Sequence, residues 1–184
     1  MRHTLSFSRL ARAAAGLAMV LTAPIAHAQT SIGFEDLAPS LGGGAAIADG
    51  YQGLTWTVTN PMGWISNGNR TYTDVVCRTG NNCGYNGFGS ISGLRSSAPI
   101  TLNGWIRRWN WSSNSGSATS VLIEALNAGG TVVGTQTITL SASYQAFSMT
   151  SLFTTLRFTP TGGTGLGCSC LLYTSDAADD LLCV

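Results

Sequence analysis

Chemistry at a protein surface needs acids, bases, nucleophiles or flat rings held at fixed spacing. Between residues 29 and 169 this chain offers five carboxylates: Glu35, Asp36, Asp49, Asp74 and Glu124. It offers six arginines and no lysine, and its two histidines, His3 and His27, both lie in the first 28 residues. If that stretch is removed on export, no His-based triad, His metal site, Schiff-base lysine or P-loop can form. Acid–base hydrolysis would need two carboxylates about 5–10 Å apart. Glu35 and Asp36 are neighbours on an expected strand and so point to opposite faces. Asp49 precedes Gly50 and reads as a turn residue, and Glu124 sits in a hairpin strand facing solvent. A glycan hydrolase is therefore the weakest reading, and no catalytic residue is assigned.

Two other chemistries fit better. A hard cation such as calcium takes several oxygens, and Glu35 or Asp36 could supply one or two to a structural site; no other cofactor is expected. Sugars stack on flat rings with amide and guanidinium groups around their hydroxyls. Trp64 and Tyr72 stand in a polar stretch with Asn67 and Arg70, and Tyr85 and Phe88 belong to YNGFG. These six residues form the candidate platform for an extracellular polysaccharide. A row of Trp105, Trp109 and Trp111 alternates in WIRRWNW, but a period-2 tryptophan row is more often core than platform.

Cys77 and Cys83 close a short turn-rich ring. In an exported protein a disulfide is the natural reading; a metal pair is the alternative, weakened because two thiols alone make a poor zinc site. Export itself follows from the N-terminus. Arg2, Arg9 and Arg12 precede an apolar run, Ala13–Leu21, and Ala26-His27-Ala28 is an A-x-A site, so cleavage between Ala28 and Gln29 is expected. The run is short of the roughly 20 residues a membrane span needs. The general secretory route would deliver the chain to the periplasm, cell surface or medium.

The elements that must position these residues are strands. Gly, Ser, Thr and Asn make up almost half of residues 29–169, interleaved with Trp, Val, Ile, Leu and Phe. Thr and aromatic residues favour strands, while Gly and Asn favour turns. SVLIEAL (120–126), the turn Asn127–Gly130 and TVVGTQTITL (131–140) read as a hairpin. Val132, Ile138 and Leu140 are expected on one side of its second strand. Further strands are expected at Ile32–Leu37, Leu54–Thr59, Trp105–Trp111, Phe147–Met149 and Leu156–Phe158. Such spacing means a sandwich or barrel. A formal net charge of +1 leaves too little positive field for nucleic acid.

Composition shifts at Cys170, after which CLLYTSDAADDLLCV carries three Asp. Cys170–Asp180 resembles a frame translation of a sequencing-library adapter; a natural acidic tail is the alternative. The organisation expected is thus a signal peptide at 1–28, an incomplete β-domain at 29–169 and an artefactual tail at 170–184.

GFEDL (33–37), IADGYQGLTW (47–56), YNGFGSIS (85–92), WIRRWNW, the hairpin and TTLRFTP (154–160) together resemble, in order and spacing, the globular part of bacterial PEP-CTERM proteins, the substrates of exosortase. The resemblance implies an all-β, jelly-roll-like antiparallel β-sandwich, export, and non-enzymatic service in the cell envelope or extracellular matrix of exopolysaccharide producers. It also implies a closing strand containing Leu-Asp-Asn and then an anchor read by sorting machinery. Neither is present, so the sandwich is expected to lack its closing strand. A carbohydrate-binding module for exopolysaccharide is the alternative function. The resemblance leaves ligand, oligomeric state and the fate of Cys168 open.

Overall fold

A computed structural model describes residues 32–72, 74–86, 91–108 and 118–162, together with the backbone of 171–174. The strands are β1 (Ala45–Ala46), β2 (Leu54–Thr55), β3 (Gly63–Ser66), β4 (Asn82–Asn86), β5 (Ser92–Arg108), β6 (Ser120–Leu126), β7 (Val132–Thr139), β8 (Gln145–Thr161) and β9 (Leu171–Thr174). Every pairing among them is antiparallel. The protein is an all-β antiparallel sandwich. One ladder runs β1-β3-β4-β9-β5-β8-β6-β7, with β2 attached to β5.

Two long strands fold this ladder into two layers. β5 and β8 each run 17 residues. The first part of β5, to Arg95, pairs with the last part of β8, which continues to β6 and β7. The last part of β5 pairs with the start of β8 and, on its other side, with β9. Register slips between Arg95 and Leu102, where Pro99 has no N–H for the ladder and a bulge lets the strand bend. The layers then face each other: Phe147 and Phe158, both on β8, meet edge to face at 6.1 Å. Leu94, Leu102, Ile106, Val121, Ile123 and Leu156 fill the space between them. Each such side chain contributes roughly 1.5–3 kcal/mol by leaving water.

Several expected strands are redrawn. Phe147–Met149 and Leu156–Phe158 are parts of one strand, β8, and Trp105–Arg108 is the end of β5. Ile32–Leu37 is not a strand: the Leu37 N–H donates to the Phe34 carbonyl (3.1 Å), closing a turn through Glu35 and Asp36. The expected Leu54–Thr59 strand stops at Thr55, and Thr59 takes φ +70°. In the hairpin, the register slips where Leu126 meets Val132. That bulge exposes Val132 and turns Val133 to the core in its place, while Ile138 and Leu140 stay buried.

The segment before β3 is pinned by aromatic packing and one carboxylate. Trp56 is fully buried, edge-on to Phe34 at 5.8 Å, and its Nε1–H donates to the Tyr51 carbonyl at 2.9 Å. Asp49 Oδ1 accepts from the N–H of Trp56 (2.6 Å) and Thr57 (3.1 Å), and Oδ2 accepts from the Thr57 hydroxyl (2.6 Å). The Thr57 hydroxyl, then the Trp56 N–H, hold the Asp49 carboxyl below its ordinary value of 3.8. A depressed carboxyl stabilises the fold above its unfolded pKa, and that stabilisation is lost as pH falls through the folded value. Melting temperature followed from pH 6 down to about 2 should therefore fall less steeply in Asp49→Asn than in the parent. Parallel curves would rule out Asp49 as a contributor.

Candidate functional site

Alternation along β3 decides which residues can share a face. Trp64 packs against the main core and donates its Nε1–H to the Ala38 carbonyl at 3.1 Å. Ile65, its neighbour, points the other way and lies with Val75, Cys77 and Cys83 in a second, smaller cluster on the outer face. Tyr72, Tyr85 and Tyr144 pack against that cluster, half-buried. Trp64 and Tyr72 are thus on opposite faces of one layer, and the expected joint platform does not form.

The loop between β3 and β4 is fastened to this face from several directions. Cys77 and Cys83 form the expected disulfide, with Cα atoms 5.5 Å apart. Asn67 accepts from the Cys77 N–H (2.8 Å) and donates to the Gly80 carbonyl (3.0 Å), so its amide serves the loop and not a ligand. Buried Asn69 donates to the Ser40 and Gly43 carbonyls and accepts from the Thr71 and Tyr72 N–H groups. Arg70 is exposed beside it, its N–H donating to the Leu41 carbonyl. Both oxygens of Glu35 face backbone donors: the N–H of Asn81 at 2.9–3.0 Å and of Asn82 at 2.8 Å. Asp36 accepts from the Tyr51 hydroxyl, whose own pKa is pushed up, first by burial and then by that carboxylate. A cation at Glu35 would have to displace three N–H contacts. Among the described residues no group of three or more His, Cys, Asp or Glu is placed to hold a metal.

Gly80 makes this fastening fit. Its φ is +61°, and the Glu35 carboxylate lies where a Cβ would stand. Gly80→Ala must adopt a left-handed conformation and displace the carboxylate. A loss of about 1–3 kcal/mol is expected, read as a lower urea midpoint at unchanged slope. An unaltered midpoint would mean that Glu35 does not restrain the loop.

The chemistry of the face comes from residues that the sequence reading placed elsewhere. Ile106 is buried, so the opposite side of β5, carrying Trp105 and Arg107, looks outward. The Trp105 row was expected to be core; the aliphatic Ile106 takes that place because a sandwich interior admits one face of the strand. The Arg78 guanidinium lies over the Trp105 ring at 3.8 Å, and Arg107 lies over Tyr144 at 5.6 Å. The Tyr144 hydroxyl donates to the Val76 carbonyl at 2.9 Å. Burial pushes that phenol up to about 12, against the opposing pull of Arg107 and Arg78, so both cations are within electrostatic reach of one ring. The patch therefore combines two guanidiniums with two rings beside the disulfide. Arg on an aromatic face keeps its fork of donors. The signal in the sequence was the lone aliphatic residue of WIRRWNW, which marks the inner face. Trp109, Trp111, Phe88, Ala28, Gln29 and Cys168 lie outside the described residues.

Asp49 serves its turn, and Glu124, expected in solvent, is covered by Arg157, with Nε and Nη2 at 2.9 and 2.8 Å from Oε2.

No family model matches the chain, and no curated protein sequence matches it. Among solved structures it is similar to the arabinose-bound MgGH51 α-L-arabinofuranosidase, with 11% identity and TM-score 0.45 over 77% of this chain. It spans 24% of that enzyme's length. It is also similar to the family 32 CBM of C. perfringens NanJ in complex with galactose, with 16% identity and TM-score 0.37 over 71% of this chain and 98% of that one. At these scores neither likeness bears on what this chain does.

Proposed function

We propose that the chain is an exported, non-enzymatic protein of the cell envelope or extracellular matrix, of the PEP-CTERM type, that holds exopolysaccharide on the outer face of its sandwich. The observation that carries the binding part is the pairing of Arg78 with Trp105 and of Arg107 with Tyr144 on one surface. Rings give sugars an apolar face, and guanidiniums give their hydroxyls oriented donors. The engagement of Glu35, Asp36, Asp49 and Glu124 in structural hydrogen bonds supports the non-enzymatic part. The arginines, apolar run and A-x-A site of the first 28 residues support export.

The test is a glycan array followed by titration of any binder with the parent and Trp105→Ala. A stacked ring contributes on the order of 1–2 kcal/mol at such a site, so affinity should fall about tenfold or more. Equal affinity would remove the patch from the reading. No binding to any extracellular glycan would leave the envelope role purely structural. Sorting is tested separately, by reading the source locus beyond codon 169 for a Leu-Asp-Asn strand, a Pro-Glu-Pro motif, an apolar helix and basic residues.

A further inference from the structure

A concavity lies on the other layer, away from the disulfide. It has a volume of about 510 Å³, within the range of ligand pockets. The β6–β7 turn at Asn127, the middle of β8 at Thr155 and Arg157, the start of the β5 bend at Arg95 and Ser97, and Thr59 form its walls. The pairing explains why two cations meet there. Arg95 lies directly across from Thr155, and Arg157 is two residues further along the same strand. They are diagonal neighbours on one face, about 7–8 Å apart at the backbone. Arg95 is exposed, with its Nε–H donating to Thr155 Oγ1 at 3.3 Å, which orients the guanidinium. Arg157 is steadied by Glu124 through Nε and Nη2. No carboxylate stands among the residues that line the cleft, and the hydroxyls of Thr59, Ser97 and Thr155 share its wall with apolar Val58, Leu126 and Ala128.

The rim carries backbone strain as well. Thr59 is a β-branched residue at φ +70°, a conformation that persists only where its surroundings over-determine it. Here they do. The Met62 N–H donates to the Trp56 carbonyl at 3.0 Å, closing the loop, and Asn60 Nδ2 donates to the Ile91 carbonyl at 2.8 Å. The loop thereby holds Thr59 against the cleft opposite the β6–β7 turn.

We infer that this cleft binds the carboxylate of a hexuronate unit in an acidic polysaccharide, with Arg95 as the principal anion contact and the hydroxyl-bearing wall as the sugar's partners. The inference deepens the glycan-binding reading and rests on it for the sugar; the site itself is distinct from the Trp105 patch. A planar fork of donors matches a carboxylate, and a wall that mixes hydroxyls with apolar side chains matches the hydroxyls and C–H face of a sugar better than it matches a bare ion.

The probe is a galacturonate trisaccharide, titrated calorimetrically into the full chain beside its methyl ester and inorganic sulfate. The parent should bind the acid at least tenfold more tightly than the ester. Arg95→Ala should weaken acid binding at least tenfold at unchanged melting temperature, and Arg95→Lys should recover part of it. Parent-like binding by Arg95→Ala overturns the inference. So does equal binding of the ester, absence of binding by the parent, or displacement of the trisaccharide by equimolar sulfate. Loss in Trp105→Ala with retention in Arg95→Ala overturns the cleft while supporting the patch. Neutral glycans held through Trp105, without a uronate effect of Arg95, give the same separation.

Discussion

Asn82→Ala should be the most damaging polar substitution in the domain, costing about 3–5 kcal/mol by the desolvation of the groups it strands. Asn82 is buried at the start of β4. Its Nδ2 donates to the carbonyls of Phe34 (2.8 Å) and Leu37 (2.9 Å), and its Oδ1 accepts from the Ser66 hydroxyl (2.5 Å). Ser66 Oγ in turn accepts the Ser40 N–H at 2.7 Å. Alanine would leave the Leu37 carbonyl and the buried Ser66 hydroxyl proton without their partner, each costing roughly 1–3 kcal/mol, and would take from the Phe34 carbonyl one of its two donors, the Leu37 N–H remaining. Asn82→Asp should be no milder, because it sets a carboxylate against two carbonyl oxygens. Urea unfolding at constant slope measures the effect. A loss under about 1 kcal/mol, the worth of an ordinary hydrogen bond, would show that water replaces the amide and that this network does not hold the 34–37 turn to the sheet.

That network also marks where sequence reading stops. The hairpin at 120–140 was legible because its period, its turn and its partner strand are adjacent in the chain. Asn127 even closes the turn itself, with Oδ1 accepting from the N–H of Gly129 and Thr131 at 3.0 Å each. The Cys77–Cys83 ring was legible for the same reason. Asn67 was taken for a sugar ligand, though it closes the adjacent loop on Cys77 and Gly80. The partners of Asn69 and Asn82, at Ser40, Gly43 and Phe34, lie far away in the chain, and nothing local announces them. The length of β5 was hidden by Ser96, Ser97 and Pro99, which look like a loop and are in fact the bend that takes one strand through both layers. The arginine–aromatic patch was half legible: alternation put Trp105 and Arg107 together, but only packing showed which face was inside.

Proline at Leu172 or Tyr173 should unseat β9 and lose on the order of 3–5 kcal/mol, at about 1 kcal/mol for each ladder hydrogen bond given up. β9 comes from the 170–184 stretch that composition set apart as an artefactual tail, and it lies between two neighbours: Leu171–Tyr173 pair with Gly84–Asn86, and Leu171–Thr174 pair with Trp105–Arg108. A four-residue strand flanked on both sides has no position where an N–H is spare, so either proline breaks a bond. The pairing is made by backbone hydrogen bonds on both sides. A strand-forming tetrapeptide in place of Leu171–Thr174 should keep the ladder hydrogen bonds on both sides, while either proline should not. Amide exchange at Asn82–Asn86 and Trp105–Arg108 reports the event directly, and newly exposed edges should make the proline variants self-associate. Parent-like protection in both variants would mean the slot does not depend on β9. The consequence reaches the binding face. β4 carries Cys83 and Tyr85, and β5 carries Trp105 and Arg107. Two strand spacings, about 10 Å, separate them when β9 is seated. Arg78, tethered through the adjacent Cys77 to β4, reaches Trp105 across that span. A proline variant that opens the slot should thus lose the Arg78–Trp105 stack, and glycan affinity at the patch should fall even in the fraction that stays folded. Uronate binding at the Arg95 cleft, built on the other layer, should be spared.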